Sequence, residues 1–79
     1  MPVVLRIGPY TFLFYASDGG EPIHVHVRRE NDEAKVWIEP QIRLERQRGF
    51  SNKEINVILR LVAEYREQLT GAWHEYFGH

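Results

Sequence analysis

Two histidines, His24 and His26, alternate with aliphatic residues in the segment EPIHVHV at positions 21–27. Successive residues of an extended strand point to opposite faces, so the alternation predicts a strand that buries Val25 and Val27 in a hydrophobic interior. Both imidazoles then lie side by side on the other face, which we expect to be exposed. Imidazoles at this spacing are able to bind a metal ion together or to act as a general acid and base. This strand is therefore the first candidate for a functional site.

The following strand supplies the residues that would lie beside the histidines. If residues 31–32 form a two-residue hairpin turn, His26 faces Trp37 and His24 faces Glu39 across the hairpin. One face is then wholly aliphatic, and the other carries two imidazoles, an indole and a carboxylate. A one-sided core requires this segregation. We interpret the polar face as a candidate surface site.

A divalent metal ion at this face would take nitrogen ligands from His24 and His26 and an oxygen ligand from Glu39. Such a set suits non-haem iron or another divalent ion with open positions. Asp18 or Glu21, in the preceding loop, would complete the set or orient a histidine. The chain has no cysteine, which excludes a thiolate zinc site. Since the histidines could equally form hydrogen bonds to a partner, no cofactor is predicted, and a divalent metal is kept as the alternative.

An enzyme that uses the same face is a second hypothesis for function. Acid-base cleavage of RNA requires little more than a histidine or carboxylate, an arginine and a shaped surface, and Trp37 would be placed to stack a base. His24 and His26 would then act in a small ribonuclease or a metal-dependent hydrolase. A serine hydrolase is disfavoured, because Ser51 has the context of a helix cap. The identity of a catalytic residue is left open.

Three arginines, Arg43, Arg46 and Arg48, lie close together in the sequence. A formal net charge of -1 disfavours nonspecific coating of nucleic acid by the molecule as a whole. A local guanidinium patch is compatible with this charge, which makes a nucleic-acid-binding module a third hypothesis. The other interpretation is a solvated strand edge.

The composition, with 43% apolar and 27% charged residues, is typical of one small globular domain covering residues 1–79. Turn signals divide the strand-rich part, residues 1–48, into short segments. The short spacings between these segments favour antiparallel hairpins. The predicted strands are 3–7, 10–16, 23–30, 33–39 and 41–47.

From Gly49 onward the hydrophobic period changes to that of a helix. The segment SNKE at 51–54 has the form of a capping box, and apolar residues then recur at three- and four-residue steps. We predict one long helix from about 52 to 77, either straight or bent near Gly71, packed on one face of the sheet. The predicted fold class is α+β, with an antiparallel sheet of four to five short strands and one long C-terminal helix.

The predicted helix is longer than the sheet that it covers. A helix over residues 52–77 is about 39 Å long, whereas a seven-residue strand spans about 23 Å. We therefore expect Trp73, Tyr76 and Phe77 to extend past the sheet and to bind a partner, either a second copy in a homo-oligomer or a small partner protein. The alternative is a kinked helix that buries these residues within the monomer.

No apolar run approaches the length of a membrane span, and the N-terminus lacks the features of a secretion signal. We therefore expect a cytoplasmic protein without a membrane partner.

Several short motifs of this chain occur together in one known family. They are EPIHVHV at 21–27, AKVWIEP at 34–40, GFS at 49–51, LV at 61–62 and AWHEYF at 72–77. Over nearly its whole length the chain resembles the small bacterial family called domain of unknown function 4160 (DUF4160). A modest departure is Ile23, where the family typically has a second proline, which affects the turn into the strand more than any chemistry.

The resemblance implies no settled activity and identifies no catalytic residue. It does imply a partner, because members are often encoded beside a second small family, domain of unknown function 2442 (DUF2442), in what resembles a toxin-antitoxin module. Together with the expected overhang of the helix, this favours a small protein-interaction domain within a toxin-antitoxin-like two-gene module. Which of the two components the chain would be is left open.

Overall fold

A computed structural model describes residues 3–79, and its first half forms five strands. They are β1 (Val3–Ile7), β2 (Tyr10–Leu13), β3 (His24–Arg29), β4 (Asp32–Trp37) and β5 (Arg43–Arg48). All neighbours are antiparallel, and the order in the sheet is β1-β2-β3-β4-β5. Connections this short join only antiparallel neighbours, and Gly8, with φ of 56°, supplies the tight turn between β1 and β2. The predicted α+β class and antiparallel sheet are confirmed.

The hairpin of β3 and β4 separates an aliphatic face from a polar face, as predicted, but its register differs from the prediction. His24 faces Trp37 rather than Glu39, and His26 faces Lys35 rather than Trp37. The predicted register is therefore wrong by two residues. Such a shift keeps every side chain on its face, because side chains alternate with a period of two. We call the polar side, with His24, His26, Lys35 and Trp37, the imidazole face.

The position of the hairpin turn explains this shift. The turn lies at residues 30–31, one position earlier than predicted, and its first residue has a positive φ of 54°. The earlier turn places Arg28 opposite Glu33, where their side chains are 3.5 Å apart. It also places Arg29 opposite Asp32, with an ion pair of 2.9 Å. Since the predicted turn would have placed Arg28 opposite another cation, cross-strand charge favours the observed register.

Two helices follow the sheet, α1 (Asn52–Glu64) and α2 (Arg66–Phe77). Ser51 is the N-cap of α1, as predicted, and its hydroxyl accepts a hydrogen bond of 3.2 Å from the backbone N–H of Glu54. The prediction of one long C-terminal helix is wrong, because the helix breaks at Tyr65, where φ and ψ are -103° and 20°.

The break at Tyr65 is a kink within a continuous helical path. Backbone hydrogen bonds of 2.9 Å run from the Tyr65 N–H to the Leu61 carbonyl and from the Leu69 N–H to the Tyr65 carbonyl. A straight helix over residues 52–77 would be about 39 Å long, whereas the longest extent of the molecule is 34 Å. The bend that the sequence placed near Gly71 therefore lies earlier, and it keeps α2 beside the sheet.

The end of α2 packs within the monomer. Trp73 is 1% exposed, because its indole meets Phe14 edge-on with ring centroids 5.3 Å apart. The Phe77 ring lies 4.3 Å from the Trp73 ring and 5.9 Å from the Phe14 ring. The expectation that Trp73 and Phe77 extend past the sheet is therefore wrong, and the kinked alternative holds. Tyr76 alone of the three predicted contact residues is largely exposed, at 44%.

The main core lies between the aliphatic face of the sheet and the two helices. Its fully buried members are Phe12, Phe14, Val25, Val27, Val36, Ile38, Ile58, Val62 and Leu69. No helix within residues 3–79 is both long enough and apolar enough to cross a bilayer.

Two glycines test these assignments in opposite directions. Gly71 lies in α2 with open space where a β-carbon would stand, so Gly71→Ala should stabilise the fold by up to about 1 kcal/mol through helix propensity. Gly49 has φ of +98°, and a β-carbon there would collide with the Asp32 carboxylate. Gly49→Ala should therefore destabilise the fold by more than about 1 kcal/mol. Urea-induced unfolding followed by circular dichroism measures both variants, and shifts of the same sign would contradict the assignments.

Candidate functional site

The carboxylate of Asp18 lies between the two histidines of the imidazole face. Asp18 Oδ1 is 3.2 Å from His24 Nε2, and Asp18 Oδ2 is 3.0 Å from His26 Nε2. One donor atom from each side chain lies within 4.8 Å of the donor atoms of the other two. The two imidazole rings also meet edge-to-face, with centroids 5.2 Å apart. We call Asp18, His24 and His26 the Asp18 cluster.

The Asp18 cluster is buried, so the prediction of an exposed site is wrong. The exposed fractions of His24, His26 and Asp18 are 0%, 3% and 6%. The prediction placed the histidines on the correct face of β3 but assumed that this face is open. A 3₁₀ turn, Ala16–Gly20, lies in the connection between β2 and β3 and brings Asp18 onto the imidazole face. Trp73 of α2 contacts His24 as well, with ring centroids 5.3 Å apart.

The turn Ala16–Gly20 fixes the position of the carboxylate. Asp18 Oδ2 accepts a hydrogen bond of 2.8 Å from the backbone N–H of Tyr15, a contact typical of aspartate in turns. Gly19 lies against Phe77, and a β-carbon at this position would stand 2.8 Å from the ring. Since glycine alone permits this approach without displacing the ring, the turn and the end of α2 are packed together.

The hydrogen bonds of His24 define its tautomer. His24 Nδ1 is 2.8 Å from the carbonyl oxygen of Pro22, which is only able to accept, so Nδ1 carries a proton. In the neutral ring Nε2 then has a lone pair. Nε2 is buried and faces Asp18 Oδ1 in a geometry that forms no hydrogen bond. Neutral His24 therefore leaves an unprotonated, buried nitrogen next to a carboxylate oxygen.

His26 lies between two carboxylates. Its Nε2 faces Asp18, while its Nδ1 is 3.4 Å from Glu33 Oε2 without forming a hydrogen bond. Burial lowers the pKa of His26 below the usual 6.5, and the charges of Asp18 and Glu33 offset this shift only in part. The neutral ring is therefore favoured near neutral pH. A neutral imidazole has one proton, so only one of its nitrogens is able to donate to the carboxylate that it faces.

Tyr15 and Glu33 border His26, and neither was predicted from the sequence. The Tyr15 ring packs on the His26 ring with centroids 4.4 Å apart, and the Tyr15 hydroxyl donates to Glu33 Oε2 at 3.2 Å. Burial raises the pKa of Tyr15 above its usual 10.0, and the Glu33 charge raises it further. In the observed register, Lys35 of β4 lies opposite His26. Glu33 is two residues from Lys35 and therefore lies on the same face of β4, so a correct register prediction would have placed Glu33 near His26.

Two residues of the predicted site lie outside the Asp18 cluster. Glu39 Oε2 accepts a hydrogen bond of 2.8 Å from Arg66, so Glu39 is not beside the histidines. Trp37 does lie opposite His24, with ring centroids 5.3 Å apart, but its indole N–H donates to Glu45 at 2.8 Å. The carboxylate beside the histidines comes instead from the turn before β3.

Glu21, the other acidic residue of that loop, is also engaged elsewhere. It accepts a hydrogen bond of 2.6 Å from Lys35 Nζ, and this bond holds the pKa of Glu21 below the usual 4.5. Lys35 Nζ also lies 4.8 Å from the centroid of the Trp37 ring. The ammonium group therefore covers one side of the indole.

The enclosed Asp18 cluster suits binding more than turnover. Two imidazoles and a carboxylate are able to hold a divalent metal ion or to share a proton. A substrate, however, would have to displace the turn Ala16–Gly20 to reach either imidazole, because both rings have almost no exposed surface.

The three arginines of β5 lie on the imidazole face. Arg43, Arg46 and Arg48 pair with alternate residues of β4, at positions 37, 35 and 33. Alternate residues of a strand lie on the same face of the sheet, so the three arginines lie on the same face as their partners in β4. Regular alternation within β5 would have placed Arg43 on the opposite face from the other two. A β-bulge at Glu45, which the pairing skips, removes this discrepancy.

Residues 10–74 match the family described as domain of unknown function (DUF4160). The match extends from β2 into α2 and includes the whole Asp18 cluster. The chain belongs to this family. No curated protein and no solved structure gives a significant match to the chain. Membership of DUF4160 confirms the resemblance drawn from the sequence motifs, and it assigns no activity.

Removal of the charge on Asp18 tests whether the carboxylate holds the turn Ala16–Gly20 in place. Asp18→Asn keeps an oxygen for the Tyr15 N–H but removes the anion from beside both rings, so we expect the unfolding free energy to fall by about 1–3 kcal/mol. Ser17, the exposed residue before Asp18, supplies the control. Ser17→Ala should change the unfolding free energy by less than about 0.5 kcal/mol. Urea-induced unfolding in the presence of a chelator measures both. An Asp18→Asn protein as stable as the wild type would show that the carboxylate does not hold the turn.

The environment of Tyr15 predicts a pH dependence in the alkaline range. Ultraviolet titration of the wild type and of Tyr15→Phe should assign to Tyr15 a transition above pH 10.0. The folded state holds this proton more tightly than the unfolded chain does. The resulting stability is therefore complete below about pH 10 and is lost as the pH rises through the raised pKa. A Tyr15 transition at or below the ordinary value would contradict the prediction.

Proposed function

We propose that the chain is a protein-interaction domain that acts in the cytoplasm and binds an acidic strand of a partner protein along β5. The partner that the family resemblance offers is the DUF2442 protein of a toxin-antitoxin-like two-gene module. The observation that carries this proposal is an uncovered edge strand with three arginines on one face.

The edge formed by β5 is open to another strand. Within residues 3–79, β5 is the last strand of the sheet and pairs only with β4. All of its residues except Leu44 are exposed. The outer row of backbone N–H and C=O groups is therefore accessible to an added strand, whose main-chain hydrogen bonds would supply affinity and whose side chains would supply specificity.

The positive charge of β5 is not neutralised within the described chain. Among residues 3–79, Arg28, Arg29 and Arg66 form ion pairs with carboxylates. None of the ion pairs in this part of the chain involves Arg43, Arg46 or Arg48. Glu45, the acidic residue of β5, accepts the hydrogen bond of the Trp37 indole. The three guanidinium groups are therefore available to the carboxylates of an acidic partner.

Self-pairing of β5 is disfavoured by the same charges. Charged side chains on an edge strand commonly prevent pairing between copies. Two β5 strands side by side would bring their arginines together, and like charges opposite each other are unfavourable. Charges that only prevent pairing between copies do not need to lie on one face of the strand. The bulge at Glu45 nevertheless places all three arginines on the same face. We therefore assign the edge to a different chain with acidic side chains on one face of its strand.

A protein strand fits this edge better than a nucleic acid does. Trp37, the aromatic residue opposite Arg43, has the ammonium group of Lys35 over its ring, which limits stacking of a base there. The formal net charge of -1 also gives little long-range attraction to phosphates. An acidic strand needs only the open edge and the local arginines.

Two triple variants test whether the arginines of β5 bind the partner: one removes the three charges of β5, and the control removes three exposed charges elsewhere. Binding to a purified DUF2442 protein would be measured by isothermal titration calorimetry. Loss of the β5 charges should weaken binding by at least about tenfold, because the arginines would pair with acidic groups of the partner. Loss of three exposed cations elsewhere should leave affinity near that of the wild type. The two variants are Arg43→Gln, Arg46→Gln, Arg48→Gln and Arg6→Gln, Lys53→Gln, Arg60→Gln.

Three outcomes would contradict the proposal. A wild-type chain that does not bind this protein would remove the assigned partner. Equal losses in the two triple variants would show a general effect of net charge instead of a specific edge. Salt-sensitive binding to DNA or RNA that only the β5 variant loses would assign the edge to nucleic acid.

A further inference from the structure

We propose that the Asp18 cluster binds one divalent transition-metal ion of the zinc class through Asp18, His24 Nε2 and His26 Nε2, and that this ion ties the turn Ala16–Gly20 to β3. The site differs from the one that the sequence suggested, because Asp18 replaces Glu39 and the ligands are buried. It does not depend on the partner strand proposed for β5.

The first support is the lone pair of His24. Because Nδ1 donates to the Pro22 carbonyl, neutral His24 has an unprotonated Nε2 that lies 3.2 Å from an oxygen of Asp18. Both atoms are acceptors, and within residues 3–79 this buried Nε2 has no hydrogen-bond partner. Two neighbouring acceptors repel each other in a medium of low dielectric, whereas a cation bound by both would be attracted to each. The cluster is therefore complementary to a positive ion.

The second support comes from His26, since both of its neutral tautomers leave a similar conflict. With the proton on Nε2, that nitrogen donates to Asp18 Oδ2 at 3.0 Å, and the unprotonated Nδ1 stays 3.4 Å from Glu33; with the proton on Nδ1, Nε2 directs a lone pair at Asp18. A metal ion resolves the conflict, because Nε2 then binds the ion while the protonated Nδ1 lies near Glu33. Metal-binding histidines usually donate the other ring N–H to a carbonyl or a carboxylate. For His24 that acceptor is the Pro22 carbonyl at 2.8 Å, and for His26 the nearby carboxylate oxygen is Glu33 Oε2 at 3.4 Å.

The spacing of the donor atoms fits a single ion. Zinc binds nitrogen and oxygen at about 2.0–2.2 Å, so two ligands of a tetrahedral ion stand about 3.3–3.6 Å apart. The Asp18 oxygens lie 3.2 and 3.0 Å from the two Nε2 atoms, and all three donors are mutually within 4.8 Å. Small side-chain movements are therefore sufficient to admit the ion.

The donor set and its burial define the kind of ion and its role. Two imidazoles and one carboxylate suit Zn²⁺, Co²⁺ or Fe²⁺, whereas Mg²⁺ and Ca²⁺ prefer oxygen ligands alone. All three ligands belong to residues 18–26, so the ion would close a short loop between the turn and the strand. Three protein ligands leave the fourth position of a tetrahedral ion unassigned. Since the ligands are almost fully buried, a substrate does not reach that position, and the ion stabilises the fold.

Titration of the metal-free wild-type chain tests the site directly. Metal would be removed with a chelator, the chelator removed in turn, and Co²⁺ added as a spectroscopic probe. We expect one Co²⁺ per chain, with visible absorption that Zn²⁺ abolishes by displacement. Zinc at about 100 times its Kd should raise the ratio of folded to unfolded protein about 100-fold, and Mg²⁺ should not. In nitrogen NMR spectra, Zn²⁺ should shift Nε2 of His24 and His26 while Nδ1 stays protonated.

Matched variants locate the ligands. His24→Gln and His26→Gln should each weaken Co²⁺ binding by at least about 100-fold, because each removes a direct ligand. A double variant of exposed histidines, His74→Gln with His79→Gln, is the control and should bind like the wild type. Glu39→Gln should also bind normally, which separates this site from the one that the sequence suggested. If a ligand variant fails to fold, the nitrogen shifts of the wild type decide the question.

The proposal is overturned if the wild-type chain binds neither Co²⁺ nor Zn²⁺ stoichiometrically. It is also overturned if binding survives the loss of both His24 and His26, or if zinc shifts only His74 and His79. In those cases a proton, and not a metal ion, lies between Asp18 and the imidazoles.

Discussion

The buried carboxylate of Asp18 is the contact on which the second face of the sheet depends. A carboxylate removed from water is strongly unfavourable unless it is bonded, and this one is held by the Tyr15 amide and faces two imidazoles. The turn that carries it is thereby fixed over β3. Because Gly19 of this turn lies against Phe77, the same contact also fixes the end of α2. The turn, the central strand and the last helix therefore form one unit.

Covering both faces of the sheet suits a chain of this size, since a small domain has little apolar surface to bury. The helices cover the aliphatic face, while the turn Ala16–Gly20 lies against the imidazole face at His24 and His26, and Trp73 contacts His24. The histidines consequently belong to the interior. The exposed charges lie at the edge strand β5, which is the surface that we propose for a partner.

Features that depend on neighbouring residues could be predicted from the sequence. The alternation in β3 separated the two faces, and the segment 51–54 marked the start of α1. Features set by contacts between distant residues could not. The dipeptide at 31–32 is a good turn signal, but opposite charges across the strands favour the turn one position earlier. The sequence of residues 16–20 predicts a turn but not the face onto which it folds, and the bulge at Glu45 carries no glycine or proline signal.

Strand β4 lies between the interior cluster and the exposed edge, and Glu33 is its residue nearest to His26 Nδ1 among the described ion pairs. This residue lies opposite Arg28 in β3 and opposite Arg48 in β5. Its carboxylate also accepts from Tyr15 and lies 3.4 Å from His26 Nδ1. In the described chain the Arg48 guanidinium donates to the Asn31 carbonyl at 3.0 Å, so an acidic strand bound at β5 would draw Arg48 from that carbonyl and not from Glu33. A metal ion on His26 Nε2 would instead place a proton on Nδ1, which lies 3.4 Å from the Glu33 carboxylate. The metal ion would therefore act on Glu33 through His26, whereas a strand at β5 would leave Glu33 in contact with Arg28 and Tyr15, so the two ligands should bind independently of each other.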